Sequence, residues 1–143
     1  MHNEHGRLIA RAGIILLAVG LINGFLVHAL SLQRQALAAH LIALIGSSLL
    51  FGLGALWPRL RLSPAMSKAG LFLAIYGFGA GWLVNFSTAV TGAFGIFPIA
   101  VASSGGTSAA DAVVSTALLS VALALFLLSG VVFWGLRGAS SPD

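Results

Sequence analysis

Four stretches of this chain are long enough and apolar enough to cross a membrane, and that fixes what it can fold into. An α-helix needs about 20 predominantly apolar residues to span the hydrocarbon core of a bilayer. Residues 8–30, 35–57, 65–93 and 112–136 each supply such a run, and none of them contains Asp or Glu. Composition closes the soluble alternative. Only 7% of the 143 residues are charged, against roughly a quarter in soluble domains, and the mean hydropathy is +1.05. The expectation is an all-α integral membrane four-helix bundle, a single transmembrane domain over residues 1–143.

The connections differ in kind. "WPRLRLSP" (57–64) is short, and Pro58 and Pro64 break the helices on either side of it. "GIFPIAVASSGGTSAAD" (95–111) is the only long loop, with an apolar start that suits an interfacial or re-entrant position. The third stretch is long enough to tilt or to end before Phe94.

Orientation follows from the basic residues. Four spans place both termini on the side of the 57–64 connection. That side collects Arg7, Arg11, Arg59, Arg61, Lys68 and Arg137, while the other has Arg34 and the acidic Asp111. The positive-inside rule then puts both termini in the cytoplasm, for a multi-pass protein of a bacterial-type inner membrane. Trp57, Trp82 and Trp134 are expected as interfacial or near-interfacial anchors. The first span is expected to be retained, because it exceeds a usual signal h-region and no clear A-x-A site follows.

The net charge of +4 does not point to nucleic acid, since the basic residues are scattered at the ends of apolar stretches. The chain has no Cys, which excludes disulfides, thiolate metal sites and a Cys nucleophile. "GLING" (20–24) and "GFGAG" (77–81) are GxxxG patterns, and Gly52 and Gly54 thin the second span. Small residues of this kind mark close helix crossings. Alternatively, Gly77, Gly79 and Gly81 leave room for a flat ligand. Four spans bury little on their own, so a homo-oligomer is expected.

Polar residues inside a membrane are costly and face the bundle interior or a cavity. The Ser and Thr hydroxyls are expected to bond back to carbonyls one turn earlier. His28 lies near a helix end and can snorkel, and Asn23 suits an interhelical hydrogen bond. His40 sits deeper, after Ala38 and Ala39, with Ser47 two turns on along the same face. From position alone it is either a satisfied structural histidine or a ligand or acid–base group. Gly77, Gly81, Asn85 and Thr88 form a small-to-polar stripe with Tyr76 beside it. There is no HExxH, P-loop or Ser–His–Asp set. With no carboxylate in any span, proton-coupled transport is disfavoured. Enzyme chemistry would have to come from His, Tyr, Asn or a bound cofactor.

The second span carries a resemblance. Arg34, Leu37, Ala39-His40-Leu41 and Leu53-Gly54-Ala55-Leu56-Trp57-Pro58-Arg59-Leu60, within "RQALAAHLIALIGSSLLFGLGALWPRLRLS", resemble the hydroxylaminobenzene mutase family. "IYGFGAGWL" (75–83), "GIFPIA" (95–100) and "VVFWGLRG" (131–138) look similar too, so the resemblance covers roughly the whole chain. It implies a four-helix membrane enzyme that rearranges a small aromatic substrate, an aryl hydroxylamine, to an aminophenol with no net redox. The family also looks similar to styrene oxide isomerases, which isomerise an epoxide and which the resemblance implies to be trimers carrying haem b. Carried over, the axial ligand of the haem iron is His40. Departures fall at Gly46 and Ser47, where Asn-Gly is expected, and at Gly81, where Asn is expected. Tyr76, Asn85 and Ser47 would then supply the polar lining on the substrate side. The rival readings are a non-catalytic small membrane subunit of the same scaffold and a small transport component.

Overall fold

The computed structural model describes residues 2–30, 32–91 and 108–137. It places α1 at His2–Leu26, α2 at Gln33–Leu56, α3 at Pro64–Thr91 and α4 at Ser108–Gly135. Single-turn 3-10 helices, Val27–Ala29 and Trp57–Arg59, follow α1 and α2. Among the described residues there is no strand. All four helices are long and apolar enough to cross a membrane. At 1.5 Å per residue they run about 36–42 Å, longer than the hydrocarbon core, so their ends emerge into the headgroups.

Apolar side chains cover these helices on all sides, the pattern of a membrane span and not of a soluble bundle. Ile14, Phe25, Phe72 and Phe126 all point outward. Local chemistry sets the boundaries. Pro64 opens α3, where its missing N–H costs nothing. Just before it, Ser63 accepts from the Met66 and Ser67 amides, through Oγ at 3.2 Å and the carbonyl at 2.9 Å. Two ends differ from the sequence expectation. α1 starts at His2 instead of residue 8, because the exposed Arg7 and Arg11 can snorkel along a helix end. α4 starts at Ser108, so the end of the expected loop is its first turn, where Asp111 complements the helix dipole. The rest of that loop lies outside the described residues.

The helices run antiparallel, and one end of the bundle gathers the basic residues. There His5 of α1 meets Ser67 of α3, with Nδ1 and Oγ 2.8 Å apart. The Arg61 amide bonds the Gly135 carbonyl at 3.0 Å. The first and last described residues therefore share the end that holds the 57–63 connection. Trp57 is fully buried at this end and donates Nε1–H to Ser67 Oγ at 3.2 Å. It is a core residue and not an interfacial anchor, because its indole fills the space above Gly70. A Cβ at Gly70 would stand 2.7 Å from the ring. Trp82 is not an interfacial side chain either: it packs against the core cluster and stacks on Phe86, with its Nε1–H buried. Trp134 differs from both: it is exposed, with the Arg137 guanidinium 4.7 Å from its ring centroid.

Candidate active site

α1 and α2 form a tight hairpin, and its register is set by small residues. A Cβ at Gly20 would stand 2.6 Å from Ala43 Cβ, and one at Gly6 would stand 2.8 Å from the Gly54 carbonyl. Residues equally far from the turn therefore meet. Near the turn of this hairpin the ring of His40 lies on the α1 backbone. Its Nδ1 is 2.7 Å from the Gly20 carbonyl oxygen, and Gly24 lies under the ring. Asn23, 1% exposed, donates from Nδ2 to the Ala36 carbonyl at 3.2 Å. That is the interhelical bond its position suggested. Its Oδ1 is buried without a partner among the described residues. His28 is exposed in the following 3-10 turn.

A second feature lies across α2 from this seam. A groove of about 390 Å³ runs between α2, α3 and α4. Its walls include Gly46, Gly77, Phe78, Gly81 and Val121, and Asn85 is the one polar side chain among the lining residues. The absence of side chains at Gly77 and Gly81 opens it. Asn85 Nδ2 donates to the Gly81 carbonyl at 2.8 Å, which leaves Oδ1 and one N–H for a ligand. The stripe of Gly77, Gly81 and Asn85 thus lines one groove, while Gly79 lines a separate one between α1 and α3.

The remaining sequence candidates are dispersed. Tyr76 stacks on Phe72 with ring centroids 5.7 Å apart, and its hydroxyl lies 2.6 Å from Ser120 Oγ on α4. Ser47 is 1% exposed and donates to the Leu44 carbonyl at 2.7 Å, so its hydroxyl does not reach the groove. Thr88 is equally buried and bonds the Val84 carbonyl. Ser48, Ser87, Thr91, Ser115, Thr116 and Ser129 also bond back along their own helices, as expected of intramembrane hydroxyls. Within one chain, then, His40, Asn85 and Tyr76 sit on three different seams.

Two comparisons with known proteins bear on this arrangement. The family model for styrene oxide isomerase matches residues 5–137. The chain belongs to the styrene oxide isomerase family. It is also 34% identical to hydroxylaminobenzene mutase HabB of Ectopseudomonas oleovorans, over 93% of this chain and 82% of that one. No solved structure matches. Both relationships are to isomerases, and the chain is read as an isomerase on that footing.

The family match runs through both the His40 hairpin and the Asn85 groove. Sequence reasoning found His40 and Asn85 but missed their supports. Gly20 and Gly24 read only as a helix crossing, although they carry the His40 ring. Ser120 was one of many hydroxyls, although it alone meets Tyr76. The hairpin register was the available signal for the first. For the second, the partner lies on a helix beyond a long connection, and nothing local announces it.

Proposed function

We propose that this chain is a haem-dependent membrane isomerase that rearranges an aryl hydroxylamine to an aminophenol. The observation that carries the reading is the apolar groove with one amide, Asn85, in its wall. It occurs in a chain that belongs to an isomerase family and is 34% identical to a hydroxylaminobenzene mutase. The reaction balances without an external reagent. One N–O bond breaks, one C–O bond forms on the ring, and the ring position loses a proton as nitrogen gains one.

The donor set suits haem better than a bare ion. A bare ion requires three or four protein ligands, and no cluster of three or more His, Cys, Asp or Glu exists among the described residues. Haem iron needs only an axial ligand, and one half-buried imidazole, His40, stands beside exposed Leu37 and Leu41. When bound there, the iron would supply Lewis acidity toward a substrate heteroatom. Asn85 would orient the hydroxylamine through its free amide atoms. The aliphatic walls would exclude water from the reacting centre. Ser47, with its hydroxyl committed to Leu44, is not asked to meet the substrate.

His40 does not line the groove. We place the site between chains of a homo-oligomer, a trimer being the form expected, in which a second copy set against the α1–α2 face would bring the two together. The gathering of Arg7, Arg11, Arg59, Arg61, Lys68 and Arg137 at one end supports both termini facing the cytoplasm of a bacterial-type inner membrane. The test is an absorption spectrum of protein made with haem supplied, followed by turnover of hydroxylaminobenzene. A stoichiometric Soret band, lost in His40→Ala together with aminophenol formation, is the expected result. A colourless, folded protein that still makes aminophenol would overturn the haem part alone. One that turns over neither hydroxylamine nor epoxide would overturn the whole reading.

A further inference from the structure

We infer that the Gly20–Gly24 notch of α1 is a seat for His40 that fixes the imidazole tautomer, placing the proton on Nδ1 and leaving Nε2 as the ligand-binding nitrogen. This deepens the haem reading, but its first test needs no haem.

The Gly20 carbonyl lies 2.7 Å from His40 Nδ1. A carbonyl can only accept, so this bond exists only when Nδ1 carries the proton. In a neutral ring that leaves the lone pair on Nε2. The identity of the hydrogen-bonded nitrogen therefore decides which nitrogen can take a metal.

Gly24 makes the bond possible. A Cβ there would stand 2.7 Å from His40 Cε1, 2.9 Å from Nδ1 and 3.4 Å from Nε2. The Nδ1–Cε1 edge lies flush on the helix, and Nε2 is the ring nitrogen farther from it. Any side chain at position 24 has to push the ring off the Gly20 carbonyl. Gly20 contributes a second time, because its closeness to the buried Ala43 brings that carbonyl within reach. Asn23, between the two glycines, ties α2 down one turn earlier through the Ala36 carbonyl. All three named residues of "GLING" thus bear on one imidazole. The other close approaches of this hairpin, at Gly6 and Gly13, meet backbone and apolar or proline atoms and hold no such ring. Gly24 is in this sense a positioning residue, acting through His40.

The test is nitrogen NMR of protein labelled only at histidine, in detergent and without haem, with exposed His28 as internal reference. His40 is expected as a single Nδ1–H tautomer. Gly24→Ala should convert it to a mixture or to the Nε2–H form and weaken haemin binding roughly tenfold or more. Gly52→Ala, at a glycine with nothing within 4 Å of its Cβ position, should change neither. A wild-type His40 protonated at Nε2, or present as both tautomers, would overturn the seat whether or not Gly24→Ala folds. So would a Gly24→Ala protein with the wild-type tautomer and haemin affinity. An Nδ1–H tautomer in a protein that takes up no haemin would keep the seat and defeat the haem reading.

Discussion

The two helical hairpins of this bundle are built to opposite ends. Along α1–α2 the backbones nearly touch, at Gly6 with Gly54 and at Gly20 with Ala43. About a third of the apolar window of α2 is buried, 33% against 17% for α4. Along α3–α4 the glycines face flexible side chains. Gly77 meets the tip of Leu125, Gly81 meets only Val121, and an open groove runs beside them. The same small-residue pattern therefore does two jobs. Where the opposing residue is small or backbone, it closes a seam. At Gly77 and Gly81, which face Leu125 and Val121, it leaves a groove. In a bilayer the difference matters more than in water, because lipid gives helices no hydrophobic reason to associate and close packing must do it.

Substitutions at matched glycines break or sharpen that contrast. Gly20→Leu has the largest expected effect. Its side chain would collide with Ala43, which is fully buried and cannot move aside. Overpacking of this kind costs about 1–3 kcal/mol and sometimes more. A large fall in melting temperature, or loss of the monodisperse peak on size exclusion, is expected. Gly81→Leu should instead leave the melting temperature within a few degrees while turnover drops at least about tenfold, a rate change of about 1.4 kcal/mol. Equal destabilisation by the two would mean that the hairpins do not differ as described.

Asn85→Leu probes the groove more gently. The amide bonds only its own helix, at the Gly81 carbonyl, so little stability rides on it. Its loss should lower kcat/KM by about five- to tenfold, near the 1 kcal/mol that a hydrogen bond contributes. An unchanged kcat/KM with hydroxylaminobenzene would remove Asn85 from the site.

How far the sequence could be read follows the same division. The four spans were legible because their lengths and apolar content are local properties. So was the sharing of one end by the first and last described residues and the 57–64 connection, since an even number of spans requires it. Asn23 was legible as an interhelical donor because a buried amide in a membrane has few alternatives. Trp57 was misread. Interfacial tryptophans and buried ones look alike until the glycine opposite, Gly70, is brought beside the ring by the turn at Pro58. Ser47 was read as facing the same side as His40, and it does lie along the α1 seam, where Gly13 approaches its carbonyl. Its hydroxyl bonds back within its own helix, as expected of an intramembrane Ser. What could not be read was that His40 and Asn85 belong to different seams. That is a fact of which helix packs on which.

The α3–α4 hairpin offers one last and smaller test. Its clearest polar link is the Tyr76 hydroxyl with Ser120 Oγ at 2.6 Å. Ser120 also donates to the Ala117 carbonyl at 2.7 Å, so Tyr76 is left to donate to Ser120. Interhelical hydrogen bonds in membranes average about 0.6 kcal/mol. Tyr76→Phe should therefore cost less than about 1 kcal/mol of stability, and Ser120→Ala a similar amount. Their double variant should cost no more than either alone, because the partners share one bond. Turnover separates the roles. If Tyr76 contributes to the substrate side in the oligomer, Tyr76→Phe lowers kcat and Ser120→Ala does not. If both lower it equally, the hydroxyl acts only by holding α3 to α4, and the open hairpin owes its groove to that one bond.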